Sequence, residues 1–63
     1  MRYYKVTLEN GEELLHESKN SLTNERLLAE MQEVATLSPV EVEDVQDIDE
    51  ITEDEYEMAS QYN

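Results

Sequence analysis

Ten carboxylates crowd the last third of this 63-residue chain: Glu41, Glu43, Asp44, Asp47, Asp49, Glu50, Glu53, Asp54, Glu55 and Glu57. Residues 41–63 carry no Lys or Arg. Carboxylates at this density can hold a metal, work as an acid–base pair, or pair with cations on another molecule. A metal loop is a poor match. Asp47-x-Asp49 opens like a calcium loop, but Ile51 stands at the third ligand position, Thr52 where Gly is needed, and Met58 where the bidentate Glu belongs. His16 is the only histidine and there is no cysteine, so no zinc set can be assembled, and His16 reads as a strand surface residue. Acid–base catalysis needs a pocket that drives two carboxyl pKa values apart, and so small a domain rarely encloses a cleft of ~300 Å³. The chain has no Gly-rich phosphate loop and no Ser-His-Asp constellation. The sequence therefore points away from an enzyme and away from any cofactor, and leaves pairing with a cationic partner.

The charge arithmetic sharpens that reading. Seventeen acidic against four basic side chains give a formal net charge of −13. Residues 1–40 hold seven acids and four bases, whereas residues 41–63 hold ten acids and none. Such a chain will not bind nucleic acid or an anionic membrane directly, since both need cations to neutralise phosphate. It also lacks an apolar run near the ~20 residues of a membrane span, and a signal-peptide pattern, so a cytoplasmic location is expected. The acids from Glu41 to Glu57 occupy seventeen residues. Laid out as strand plus helix they would span ~35–40 Å, about one charge per 3.5–4 Å, close to the ~3.4 Å spacing along one strand of B-DNA. A solvated face is the plain alternative. However, a small domain needs only a few net charges for solubility, and this excess repels itself in the compact state.

These carboxylates have to be positioned by a single α+β domain, residues 1–63, in the order β-β-α-β-α. Tyr4, Val6 and Leu8 alternate with Tyr3, Lys5 and Thr7 over residues 2–8, the period of a half-buried strand. Asn10-Gly11 signals a hairpin back into residues 12–18. A two-residue turn would place Val6 opposite Leu15, and a three-residue loop Leu8 opposite Leu14; a slip of one residue exchanges the buried face. Thr23 is an N-cap with Leu22 and Leu27 as its staple, and Leu27, Leu28, Met31, Val34 and Ala35 continue at helical spacing. A helix over 23–37 follows, ended by Pro39. Val40 and Val42 restart an alternating pattern that slips to every third residue at Val45, Ile48 and Ile51, as a bulged strand would. Thr52-x-x-Glu55 is a capping box with Ile51 and Tyr56 as staple. It predicts a helix over 53–61 that turns Tyr56, Ala59 and either Met58 or Tyr62 inward. The hairpin and third strand should form one sheet with the helices on one face. Tyr3 and Tyr4 must point to opposite sides, one as core and one as an interface anchor.

The Tyr-Tyr-Lys-Val-Thr-Leu-Glu-Asn-Gly opening at residues 3–11, the size, and the acidic stretch Glu41–Glu57 resemble small phage-encoded proteins. In scale and charge the chain resembles the anti-CRISPR inhibitors of Cas9-type nucleases. That resemblance implies a DNA mimic that occupies a basic nucleic-acid site of a guide-loaded nuclease, in the host cytoplasm, with Glu41 to Glu57 contacting arginines bidentately. Two other classes fit the same composition: a phage accessory or structural protein that forms a homodimer, and an antitoxin-like module that neutralises a basic partner.

Overall fold

The computed structural model describes residues 1–61. The elements are β1 (Arg2–Leu8), β2 (Glu13–Ser18), α1 (Asn24–Glu33), α2 (Pro39–Val42), β3 (Val45–Ile51) and α3 (Glu53–Gln61). The chain is thus α+β, with a fully antiparallel sheet in the order β2-β1-β3. β1 is the central strand and the most apolar of the three. Its even-numbered side chains, Tyr4, Val6 and Leu8, are buried with Leu27 and Met31 of α1 and with Leu37, and together they form the core. The Tyr4 hydroxyl is satisfied there by the backbone N–H of Leu22, 3.1 Å away.

The loop is the three-residue alternative, but its pairing matches neither expected register. Val6 faces Leu14, and Lys5 faces Leu15. Asn-Gly is not the centre of a two-residue turn here. Leu8 N–H donates to the Glu12 carbonyl at 2.8 Å, and Glu9, Asn10 and Gly11 make the loop between them. Gly11 alone takes the left-handed region, at φ 92°, while Asn10 Oδ1 accepts the Glu12 N–H at 2.9 Å. This is a type I turn closed by a left-handed residue, the usual three-residue solution. Its consequence is large, because Leu14, His16 and Ser18 now share the core side with Val6, while Glu13, Leu15 and Glu17 share the opposite side with Lys5. His16, expected on the surface, is buried, and its Nε2 lies 2.8 Å from Glu30 Oε2 on α1.

Helix α1 starts where expected, with Thr23 Oγ1 accepting the Arg26 N–H. It ends earlier, at Glu33, in a Schellman turn. Thr36 N–H reaches the Met31 carbonyl at 2.8 Å, Ala35 N–H the Gln32 carbonyl at 3.2 Å, and Ala35 sits at φ 61°. The turn brings Leu37 into the core. Pro39 then begins a helix instead of only ending one. Ser38 is extended and forms a full capping box with Glu41, and Pro39 occupies the first turn of α2. The alternation of Val40 and Val42 therefore belongs to this short helix, and the element order becomes β-β-α-α-β-α.

The every-third-residue slip in β3 has two causes. A bulge between the pairs Thr7↔Asp47 and Leu8↔Val45 lets both Val45 and Ile48 pack against the core. Ile51 pairs with Tyr3 and so lies on the other side of the sheet. There it meets α3, whose Tyr56 ring lies 4.8 Å from that of Tyr3. The helices are consequently divided between the faces, α1 on one and α3 on the other, because the chain turns directly after Ile51 at Thr52, whose hydroxyl accepts the Glu55 N–H and caps α3. In α3, Tyr56 and Ala59 are half-buried and Met58 is exposed. Tyr62 lies outside the described residues.

Candidate functional site: an anionic sheet face

Lys5 and Tyr3 stand on the α3 side of the central strand, and the charges that act on them locate the acids around that face. Lys5 Nζ is 3.2 Å from Glu13 Oε2 on β2. Glu13, then Asp49 on β3 and Glu55 on α3, hold the Lys5 ammonium above its ordinary pKa. The Tyr3 phenol is likewise pushed up, first by burial and then by Glu53, Glu17 and Glu57. Asp47 lies two residues from Asp49 on the same side of β3. Seven carboxylates from three elements, Glu13 and Glu17, Asp47 and Asp49, and Glu53, Glu55 and Glu57, thus surround one sheet face. Lys5 is the single cation that the strands carry there.

Asp49 registers the crowding. Its pKa is raised, first by hydrogen bonding with Asp47, then by the Asp47 charge and by burial, with Lys5 opposing. Two carboxyls this close resist being ionised together. Asp47 is also fixed locally, its Oδ1 accepting the Ile48 N–H at 3.0 Å. Glu55 is held by the α3 cap, where Thr52 Oγ1 accepts the Glu55 N–H at 3.2 Å and donates to Glu55 Oε1 at 3.3 Å. The face is thus built from regular elements. Beside the carboxylates it presents one aromatic platform, the tilted Tyr3–Tyr56 pair, with Ile51 on the neighbouring strand opposite Tyr3.

Not every expected residue joins it. Glu50 alternates to the core side and pairs with Arg2, Oε2 to Nη1 at 2.9 Å, on the exposed rim. Glu41 is engaged in the Ser38 capping box, its Oε2 accepting the Ser38 N–H at 3.0 Å. Glu43 caps the end of α2, and Asp44 lies in the following turn, where its carbonyl accepts the Glu9 N–H at 2.7 Å. Asp54 is exposed in the first turn of α3. The acids therefore form a folded patch rather than the ~35–40 Å row that a strand followed by a helix would give, and the longest dimension of the protein is only 29 Å. Glu13 and Glu17 were missed because their side of the sheet depends on the hairpin register, which Asn10-Gly11 alone does not fix. Among the described residues no three His, Cys, Asp or Glu side chains are grouped to hold a metal ion, and no helix is long and apolar enough to cross a membrane.

No family model, curated protein or solved structure matches this chain.

Proposed function

We propose that the protein is an anionic decoy for nucleic acid, an inhibitor that occupies a basic nucleic-acid site on a guide-loaded nuclease of the Cas9 type and keeps DNA out. The observation that supports this reading is the convergence of carboxylates from β2, β3 and α3 on one side of the sheet, with Lys5 as the only strand cation among them. Carboxylates held by strands and by a capped helix keep fixed spacings, and arginines read fixed spacings bidentately. Fields of opposite sign accelerate the encounter and exclude acidic competitors. Size narrows the target. The described residues extend 29 Å at most, which bounds the face to the length of no more than about eight consecutive phosphates of one strand at ~3.4 Å each. That suits the short PAM-reading site better than the channel that holds a ~20 bp heteroduplex.

Competition tests the reading. Labelled target DNA bound by the guide-loaded nuclease is titrated with the full chain at low and high salt. Displacement at low salt that weakens steeply as salt is added is the expected result. DNA that stays bound at every concentration of the chain in low salt would overturn the proposal.

A further inference from the structure

The opposite side of the molecule carries a second recognition feature that the decoy reading does not use. A shallow groove of about 590 Å³ runs between α1 and α2, lined by Glu25, Leu28, Ala29, Gln32, Glu33 and Val42. Leu28 and Val42 form its floor and are themselves packed on the core, so the floor is fixed by the fold. Glu25 and Glu33 stand one at each end of the α1 wall, eight residues and therefore about 12 Å apart along the helix. No basic side chain lines the groove among the described residues. Glu25 has a local reason to be there, since an acid in a first turn favours the helix dipole; Glu33 has the opposite, since it lies in the last turn, where no basic residue offsets it. In the adjoining α2, Val40 is 76% exposed, an apolar side chain that the monomer leaves uncovered.

The geometry points to a docking site for an amphipathic basic helix of a partner protein. Its apolar stripe would lie on Leu28, Ala29 and Val42, and two Lys or Arg residues about eight positions apart would meet Glu25 and Glu33. A groove this open does not enclose a small molecule, whose sites bury most of the ligand, whereas helix-in-groove recognition needs only an apolar floor and flanking charges. A second copy of the chain is disfavoured as occupant because each carries a net charge of −13.

The probe is a synthetic helix-forming peptide with a leucine stripe and lysines eight positions apart, titrated into the isotope-labelled full chain and followed by amide shifts. A second peptide has the same lysines but serine in place of leucine. The leucine peptide should shift α1 and α2 amides and the serine peptide should not. Ala29→Arg, which fills the exposed groove wall, and the pair Glu25→Gln with Glu33→Gln should each weaken binding about tenfold or more. Equal binding of both peptides, shifts centred on β3 and α3, or unchanged affinity in both variants would overturn the proposal. Self-association of the labelled chain with loss of α1 and α2 signals would assign the groove to a second copy and overturn it as well. The decoy reading is untouched by any of these outcomes, because its own test reads DNA displacement.

Discussion

The two faces of the sheet are built from the same three strands and do opposite things. Towards α1 the central strand presents Tyr4, Val6 and Leu8 to Leu27, Met31 and Leu37, all buried. The polar groups of the sheet on that side are paired, as His16 of β2 with Glu30 and Tyr4 of β1 with Leu22 N–H. Towards α3 the same strand presents Tyr3, Lys5 and Thr7, all only half-buried and ringed by carboxylates. The first face gains stability from apolar burial. The second loses some through like-charge repulsion, visible at Asp47 and Asp49. A domain that concentrates its repulsion on one side of a sheet can carry it because the other side supplies the core.

The largest effect that separates the faces is expected at Met31. It is fully buried between α1 and the sheet, so Met31→Ala should cost about 2–5 kcal/mol. A chain of this length has roughly 3–9 kcal/mol in all. Met31→Leu keeps the volume and should cost less than about 1.5 kcal/mol. Urea unfolding of both variants checks this, and equal losses would mean that the core lies elsewhere. A smaller effect of opposite sign is expected at Ala35, which closes α1 with φ 61°. Ala35→Gly removes the left-handed penalty and should stabilise by about 1 kcal/mol, raising Tm by about 4–8 °C.

The smallest effects, seen through pH, contrast the faces directly. On the core side Glu30 is held below the usual carboxylate range, chiefly by its hydrogen bond to His16. A depressed pKa contributes stability above the unfolded value of ~4.3 that is lost as pH falls through the folded value. On the acidic side Asp49 is raised, chiefly by Asp47. Its folded form holds its proton longer than the unfolded chain, so stability falls as pH rises from ~3.9 through the folded value. Glu30→Gln should therefore lower Tm at neutral pH, and Asp49→Asn should raise it. Both differences should vanish in acid below the two ranges. Tm shifts of the same sign at neutral pH would erase the contrast.

What was legible in the residues was local. The Thr23 and Thr52 caps, the alternation of β1 and the existence of a hairpin at Asn10-Gly11 depend on neighbours a few positions away, and each was readable. The register was not, because Asn-Gly serves two turn geometries and only the placement of Leu14 in the core selects one. Helix α2 was hidden because Val40 and Val42 mimic a strand, although Ser38-Pro39-Val40-Glu41 is itself a capping box. The division of the helices between faces depended on Ile51, whose three-residue offset from Ile48 looks like irregularity until it is seen to turn the side chain towards Tyr3. Of the candidate site, Asp47, Asp49, Glu53, Glu55 and Glu57 followed from charge alone. The contribution of β2 and the withdrawal of Glu41, Glu43, Asp44, Glu50 and Asp54 required the fold.

The central claim is that binding and stability reside on different faces. It is tested most directly by the triple variant Asp47→Asn, Asp49→Asn and Glu57→Gln, measured for Tm and for displacement of DNA from the nuclease. A control removes the same charge away from the patch, as Glu9→Gln, Glu43→Gln and Asp44→Asn. The account predicts that the first variant melts no lower than the parent and displaces DNA at least about tenfold less well, while the control displaces it as the parent does. Equal displacement by all three proteins, or a loss of displacement that accompanies a fall in Tm, would contradict it.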